Sequence, residues 1–333
     1  MTMTVSSALR ASAHRTFQGV ARPVILAAAR SDGLRRVSER MPVTREVVHR
    51  FVPGETVPEA LMSVGDLRDS RRFVSVDYLG EDVTDADAAE ATMRAYLELL
   101  DALGRREENA DGPRPLEVSL KLSALGQALP RDGEKIAYEN AHTICEKARD
   151  VGAWVTVDAE DHTTTDSTLS IVRDLRTDFD WLGTVLQAYL KRTHADCEEF
   201  AASGARIRLC KGAYDEPASV AFRDREDVTD SYLRCLRVLM AGKGYPMIAS
   251  HDQEIIEAVP ALTREFNRGV DDFEYQMLYG IRDPEQRRLA GDGNHVRVYV
   301  PFGTQWYGYF VRRLAERPAN LTFFLRALAE RPH

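Results

Sequence analysis

From residue 72 onward the chain switches repeatedly between two hydrophobic periods. Eight short runs carry apolar residues in alternating or continuous fashion: "RFVSVDYLG", "LEVSLKLSAL", "WVTVDAED", "LGTVLQAY", "RIRLCKGAY", "YPMIASHD", "FEYQMLYG" and "VRVYVPFG". A period of two sends successive side chains to opposite faces, so each run predicts a β-strand that ends in glycine, polar or turn residues. Between the runs lie longer stretches, such as "ADAAEATMRAYLELLDAL" and "DSYLRCLRVLMAG", with apolar residues three and four apart. That spacing predicts amphipathic helices, several of them preceded by capping residues such as Asp85 or Thr229. Eight strands alternating with eight helices predict an α/β fold, a closed (βα)8 barrel. An open doubly wound sheet is the alternative, but no G-x-G-x-x-G follows the first strand. The expected division is a helical N-terminal arm over residues 1–70 and a barrel domain over 71–333, with no Gly/Ser linker marking a further domain.

Composition narrows the function classes. The chain has 333 residues, 44% hydrophobic and 29% charged, with a formal net charge of -8. An acidic chain lacks the basic surface that nucleic acid binding requires. No apolar run is long enough to cross a bilayer. The four cysteines (Cys145, Cys197, Cys210, Cys235) show no C-x-x-C or zinc spacing, and so read as small apolar side chains in a reducing compartment. Before Asp32 there is no acidic residue, whereas Arg10, Arg15, Arg22 and Arg30 stand among Ala, Ser and Val. That segment reads as a basic amphipathic helix that packs on the protein or touches a membrane surface, with a mitochondrial transit peptide as the alternative.

In a barrel of this kind chemistry sits at the C-terminal ends of the strands. Applied to the eight runs, that rule selects Lys121, Asp158, Gln187, Arg208, Lys211, Tyr214, Ser250, His251, Gln276 and Tyr299. Burying such groups without partners costs several kcal/mol each, so they must pair with one another or with a ligand. Lys121 stands among apolar residues, and Asp158 on the adjacent strand is its expected partner. Arg208 and Lys211 are three positions apart, so the strand must end near Lys211 for both to face one site. Gly212 beside them permits close backbone approach to a ligand. His251 is a lone histidine open to a structural reading as much as a functional one. No H-E-x-x-H or ligand cluster points to a metal. Near the C-terminus, "YFVRRLAERPAN" places Tyr309, Arg313, Glu316 and Asn320 on one helical face. Following the eighth strand, this helix is expected over the barrel mouth, with Arg312 and Arg313 gripping a carboxylate and Glu316 orienting Arg313. Pro318 is expected to kink or split it.

Together "VSLKLSAL", "VDAED", "VLQAYLKRT", "RLCKGAY", "FEYQMLYG", "RVYVPFG" and "YFVRRLAERPAN" resemble the successive motifs of proline dehydrogenase, over roughly residues 70 to 328. The resemblance is to the monofunctional bacterial type, and it implies a distorted (βα)8 TIM barrel with noncovalent FAD. The implied reaction is oxidation of L-proline to Δ1-pyrroline-5-carboxylate, with electrons passed to a membrane quinone. It implies that Arg312, Arg313 and Lys121 hold the proline carboxylate, and that Tyr214 and Tyr299 wall the ring. Asp158 and Arg208 are implied at the reacting centre, with Arg208 beside the flavin. Ala159, Gln187, Arg208, Lys211, Gly212, Ala213, Ser250 and His251 are implied cofactor contacts. The tyrosine at 299 is similar to proline rather than hydroxyproline oxidases, because its bulk crowds the ring's 4-position. Asp252 departs from the family, where asparagine is common, which places a cofactor contact by that side chain in doubt. The implied location is cytoplasmic, at the periphery of the inner membrane face.

Rival readings remain on the residues alone. A class I aldolase would use Lys121 or Lys211 as a Schiff-base lysine. A non-enzymatic scaffold would tolerate loss of Arg313.

Overall fold

The computed structural model describes residues 48–104 and 113–316, apart from the side chains of 314–316. Most of the expected arm, together with Pro318 and Asn320, lies outside the described residues. The chain divides into two compact units. The larger comprises Gly54–Gly212 and Glu216–Thr304; the smaller takes in 48–53, Ala213–Asp215 and the described residues from Gln305.

In the larger unit eight parallel strands close on themselves. They are β1 (Phe73–Tyr78), β2 (Leu116–Leu120), β3 (Trp154–Val157), β4 (Gly183–Gln187), β5 (Arg206–Cys210), β6 (Tyr245–Ala249), β7 (Glu274–Leu278) and β8 (Val296–Phe302). All eight predicted runs form strands, but most stop two to four residues before the run ends. The residues beyond leave the ladder for the mouth of the barrel. Lys121, for example, follows β2 and precedes the 3-10 turn Leu122–Leu125. The helices are α1 (Val57–Asp69), α2 (Ala86–Gly104), α3 (Gly133–Asp150), α4 (Thr165–Asp178), α5 (Thr193–Ala202), α6 (Arg225–Ala241), α7 (Gln253–Glu265) and α8 (Asp283–Gly291). A capping box between Thr56 and Glu59 starts α1, which packs on β1 and β8 within the larger unit. The smaller unit contains α9 (Tyr307–Glu316).

Strand alternation explains where the core sits. Val74, Val76, Val118, Leu120, Val155, Val157, Ile207, Leu209, Val296 and Val298 are buried in one hydrophobic cluster with apolar positions of the helices. The intervening positions, which include the apolar Trp154, Val185 and Met247, meet across the barrel interior and are mostly polar. Among them Arg297 donates to Glu274 through Nε at 2.6 Å and Nη2 at 2.9 Å, with both residues 0% exposed. Arg206 donates to Glu117 and lies over the Trp154 ring, its guanidinium carbon 3.7 Å from the centroid. Ions taken out of water cost several kcal/mol each unless paired, and every strong cation inside this barrel has a carboxylate beside it.

Breaking one pair should therefore cost more than replacing it. Glu274→Ala, which strands Arg297, should lose about 3–5 kcal/mol in urea unfolding, and Glu274→Leu with Arg297→Met should recover most of that.

Candidate active site

Four of the predicted residues come together at the strand C-termini. Tyr299 Oη donates to Asp158 Oδ2 at 2.8 Å, and Arg208 Nη1 donates to Asp158 Oδ1 at 2.6 Å. Lys121 Nζ stands 4.0 Å from Asp158 Oδ2 and 3.5 Å from Tyr299 Oη. The Arg208 guanidinium lies 5.4 Å from the centroid of the Tyr299 ring.

The expected pairing of Lys121 with Asp158 is present at 4.0 Å, and a nearer partner joins it: Lys121 Nζ donates to Asp77 Oδ2 at 2.6 Å. Asp77 of β1 is in register with Ser119 of β2, two residues before Lys121, while Arg208 and Tyr299 occupy the oxygens of Asp158. Asp77 is fully buried, yet in "FVSVDY" it occupies a polar position that alternation alone assigns equally to solvent. Ser75, Glu117 and Ser119 escaped notice for the same reason. They matter because all five N–H groups of Arg208 are engaged. Nε donates to Gln276 Oε1 at 2.5 Å, Nη1 to Ser119 Oγ at 2.8 Å besides Asp158, and Nη2 to Glu117 Oε1 at 2.6 Å and Ser75 Oγ at 3.1 Å.

Electrostatics set the charge states of this group. Burial works against the Lys121 ammonium, but Asp77, Asp158 and Glu81 outweigh it and raise its pKa above the ordinary value. A Schiff-base lysine must shed its proton before attack, so a protonated Lys121 counts against an aldolase. Burial raises the Asp158 carboxyl; Arg208 and Lys121 oppose it, Asp77 reinforces it, and the net displacement is upward. Burial, followed by Asp158 and Asp77, pushes the Tyr299 phenol well above its usual range, which keeps it a hydrogen-bond donor.

The residues expected around a cofactor follow β3 to β6. Gln187 Nε2 donates to the Glu160 carbonyl at 3.2 Å, and Ala159 is half-buried after β3. Lys211 Nζ donates to Asp252 Oδ2 at 2.7 Å and to Thr229 Oγ1 at 2.8 Å. Asp252 also accepts from Arg225 at 3.0 Å; burial raises its carboxyl, but Lys211 and then Arg225 hold it at about 2. The aspartate at 252 thus places a carboxylate on Lys211. Gly212 adopts φ +105°, and a Cβ there would lie 2.3 Å from the Tyr189 ring, so its close approach is to the protein's own side chain. Ser250 Oγ accepts from the Asp252 amide at 3.0 Å. His251 Nε2 accepts from the Leu278 amide at 3.0 Å, a structural tie between the ends of β6 and β7.

Ala213, Tyr214, Arg312 and Arg313 belong to the smaller unit. There the Arg312 guanidinium lies 5.6 Å from the Tyr214 ring centroid, and that of Arg313 lies 4.9 Å from the Tyr309 ring, as i, i+4 spacing predicts. The Glu316 side chain expected to orient Arg313 is outside the described residues. No helix among the described residues is long and apolar enough to cross a membrane.

A closed barrel that gathers a lysine, a carboxylate, a tyrosine and an arginine at its strand C-termini is an enzyme of the (βα)8 class. Residues 60–326 match the family described as proline dehydrogenase. The chain is 36% identical over 288 residues to proline dehydrogenase 1 of Bacillus subtilis (strain 168), covering 86% of this chain and 92% of that one. It is 38% identical over 284 residues to the proline dehydrogenase of Deinococcus radiodurans, covering 85% and 90%. Among solved structures, proline utilization A of Bdellovibrio bacteriovorus inactivated by N-propargylglycine aligns with a TM-score of 0.75 at 25% identity, over 82% of this chain and 33% of that one. The chain belongs to the proline dehydrogenase family.

One buried acid at the rim was not anticipated. Glu160 accepts from Ser123 through N at 3.1 Å and Oγ at 2.5 Å, yet burial outweighs both bonds and pushes its carboxyl from 4.5 up to about 7. Its folded pKa exceeds its unfolded one, so its contribution to stability is complete below about 4.5 and is lost as pH rises through about 7. Glu160→Gln should remove that loss, which amounts to at most about 3 kcal/mol. Urea midpoints of parent and variant should diverge from pH 5 to pH 8, in favour of the variant.

Proposed function

We propose that this chain oxidises L-proline to Δ1-pyrroline-5-carboxylate with noncovalent FAD, passing electrons on to a quinone. The observation that carries this reading is the Lys121–Asp158–Tyr299–Arg208 group, in which two cations and a phenol converge on one carboxylate. The residues assigned to FAD fit it in chemistry. Lys211 supplies a cation for a diphosphate, with Arg225 of α6 as a neighbouring second, while Ser250 after β6 and Gln187 at the end of β4 supply a hydroxyl and an amide. Asp252 fits less well, since it already neutralises Lys211. When bound, FAD would accept the hydride that leaves proline C5.

The chain's own residues would do the positioning. Arg312 and Arg313 bind the carboxylate, an assignment that rests on guanidinium geometry and on the "YFVRRLAERPAN" motif. Lys121, held protonated by Asp77 against the effect of burial, offers a fixed positive charge to an anionic group of the substrate. It therefore does not take the amine proton, which leaves Asp158 or water as the acceptor. Tyr299 and Tyr214 wall the ring, and the bulk of Tyr299 favours proline over its 4-hydroxylated analogue. Arg208 supplies positive charge where a reduced ring system would gain electrons. Contact with a quinone-bearing membrane would come from the basic residues Arg10, Arg15, Arg22 and Arg30.

Arg313→Met tests the carboxylate assignment. Steady-state turnover with an artificial acceptor should show KM for L-proline raised at least thirtyfold, the equivalent of about 2 kcal/mol of lost charge pairing. A KM near that of the parent would remove Arg313 from the site.

A further inference from the structure

Among the buried charges that the proposed reaction leaves without a role, Glu117 lies directly behind the reacting group. It is the second residue of β2, with 0% exposure, and its two oxygens are divided between two arginines of β5. Oε1 accepts from Arg208 Nη2 at 2.6 Å and from Ser75 Oγ at 2.7 Å, while Oε2 accepts from Arg206 Nη2. Arg206 and Arg208 are two residues apart on one strand, so both project into the barrel and repel each other without an anion between them. Arg208 in turn spans two carboxylates. One terminal nitrogen of its guanidinium holds Glu117, and the other holds Asp158.

We propose that Glu117 is a positioning residue for proline oxidation, anchoring one end of the Arg208 guanidinium so that the other end stays on Asp158. This rests on the assignment of Asp158 and Arg208 to the reacting centre. Glu117 precedes Lys121 by four positions, roughly 13 Å along a strand, and so acts only through Arg208. A planar guanidinium cannot turn about its Cδ–Nε bond while a charge-assisted bond holds one end. Burial raises the Glu117 carboxyl, but Arg297, Arg206 and Arg208 together bring it far below the ordinary range, which keeps the anchor charged at any working pH.

Glu117→Gln keeps an acceptor for Ser75 and removes the charge. With FAD-reconstituted protein, kcat for L-proline should fall at least tenfold while KM changes less than threefold, because the carboxylate is held elsewhere. Arg206→Gln, which removes the other arginine and leaves the Glu117–Arg208 bond, should lower Tm while keeping kcat within threefold. A folded Glu117→Gln protein with kcat within threefold of the parent overturns the proposal, as does an equal loss in Arg206→Gln. If Glu117→Gln does not fold, Glu117→Asp retains the charge but retracts it by one methylene. The same kcat-specific loss is expected there, and parental kcat overturns the proposal. A parent chain that does not turn over proline would instead defeat the proposed reaction, before any variant is compared.

Discussion

Charges in a low-dielectric interior must be matched, and in this barrel the matching reaches from its base to its mouth. Four carboxylates (Asp77, Glu117, Asp158, Glu274) meet four cations (Lys121, Arg206, Arg208, Arg297) along the interior. An uncompensated ion there costs several kcal/mol, so each member needs at least one partner of opposite charge. The hydrophobic core lies on the outer face of the strands, where valines and leucines meet the helices. Stability and polarity are thereby separated onto the two faces of one sheet.

That separation has a chemical consequence. The groups at the rim are the upper end of the same network: Arg208 joins the interior through Glu117 and the mouth through Asp158. Asp77 outweighs burial and keeps Lys121 protonated, and Tyr299 stays a donor because burial, then Asp158 and Asp77, oppose its ionisation. Hydrogen-bond donors held in place before substrate arrives cost no reorganisation at the moment of reaction. For a reaction that depends mostly on aiming a C–H bond at an acceptor, such rigidity is what the protein can contribute.

Much of this was legible in the chain. The eight strands announced themselves because a barrel with a polar interior and an apolar exterior imposes strict alternation, as in "FVSVDY" and "RIRLC". Lys121, Asp158, Arg208 and Tyr299 followed from the rule that chemistry sits where strands end. What alternation cannot give is which polar residue pairs with which, because partners are set by register and cross-barrel distance. Asp77 as the nearer partner of Lys121, and the hold of Glu117 on Arg208, therefore have no signal in the sequence. Gly212 looked like a cradle for a ligand, whereas its missing side chain makes room for Tyr189. At Arg313 the helical spacing correctly placed Tyr309 beside it, while the partner expected from Glu316 lies outside the described residues.

The central claim, that this charge-matched mouth oxidises proline through a flavin, is tested most directly by a visible spectrum of the purified protein, taken without oxygen before and after L-proline. The account predicts flavin absorbance that bleaches when proline is added. Flavin absorbance unmoved by saturating proline would contradict it, as would a colourless protein that FAD does not reconstitute.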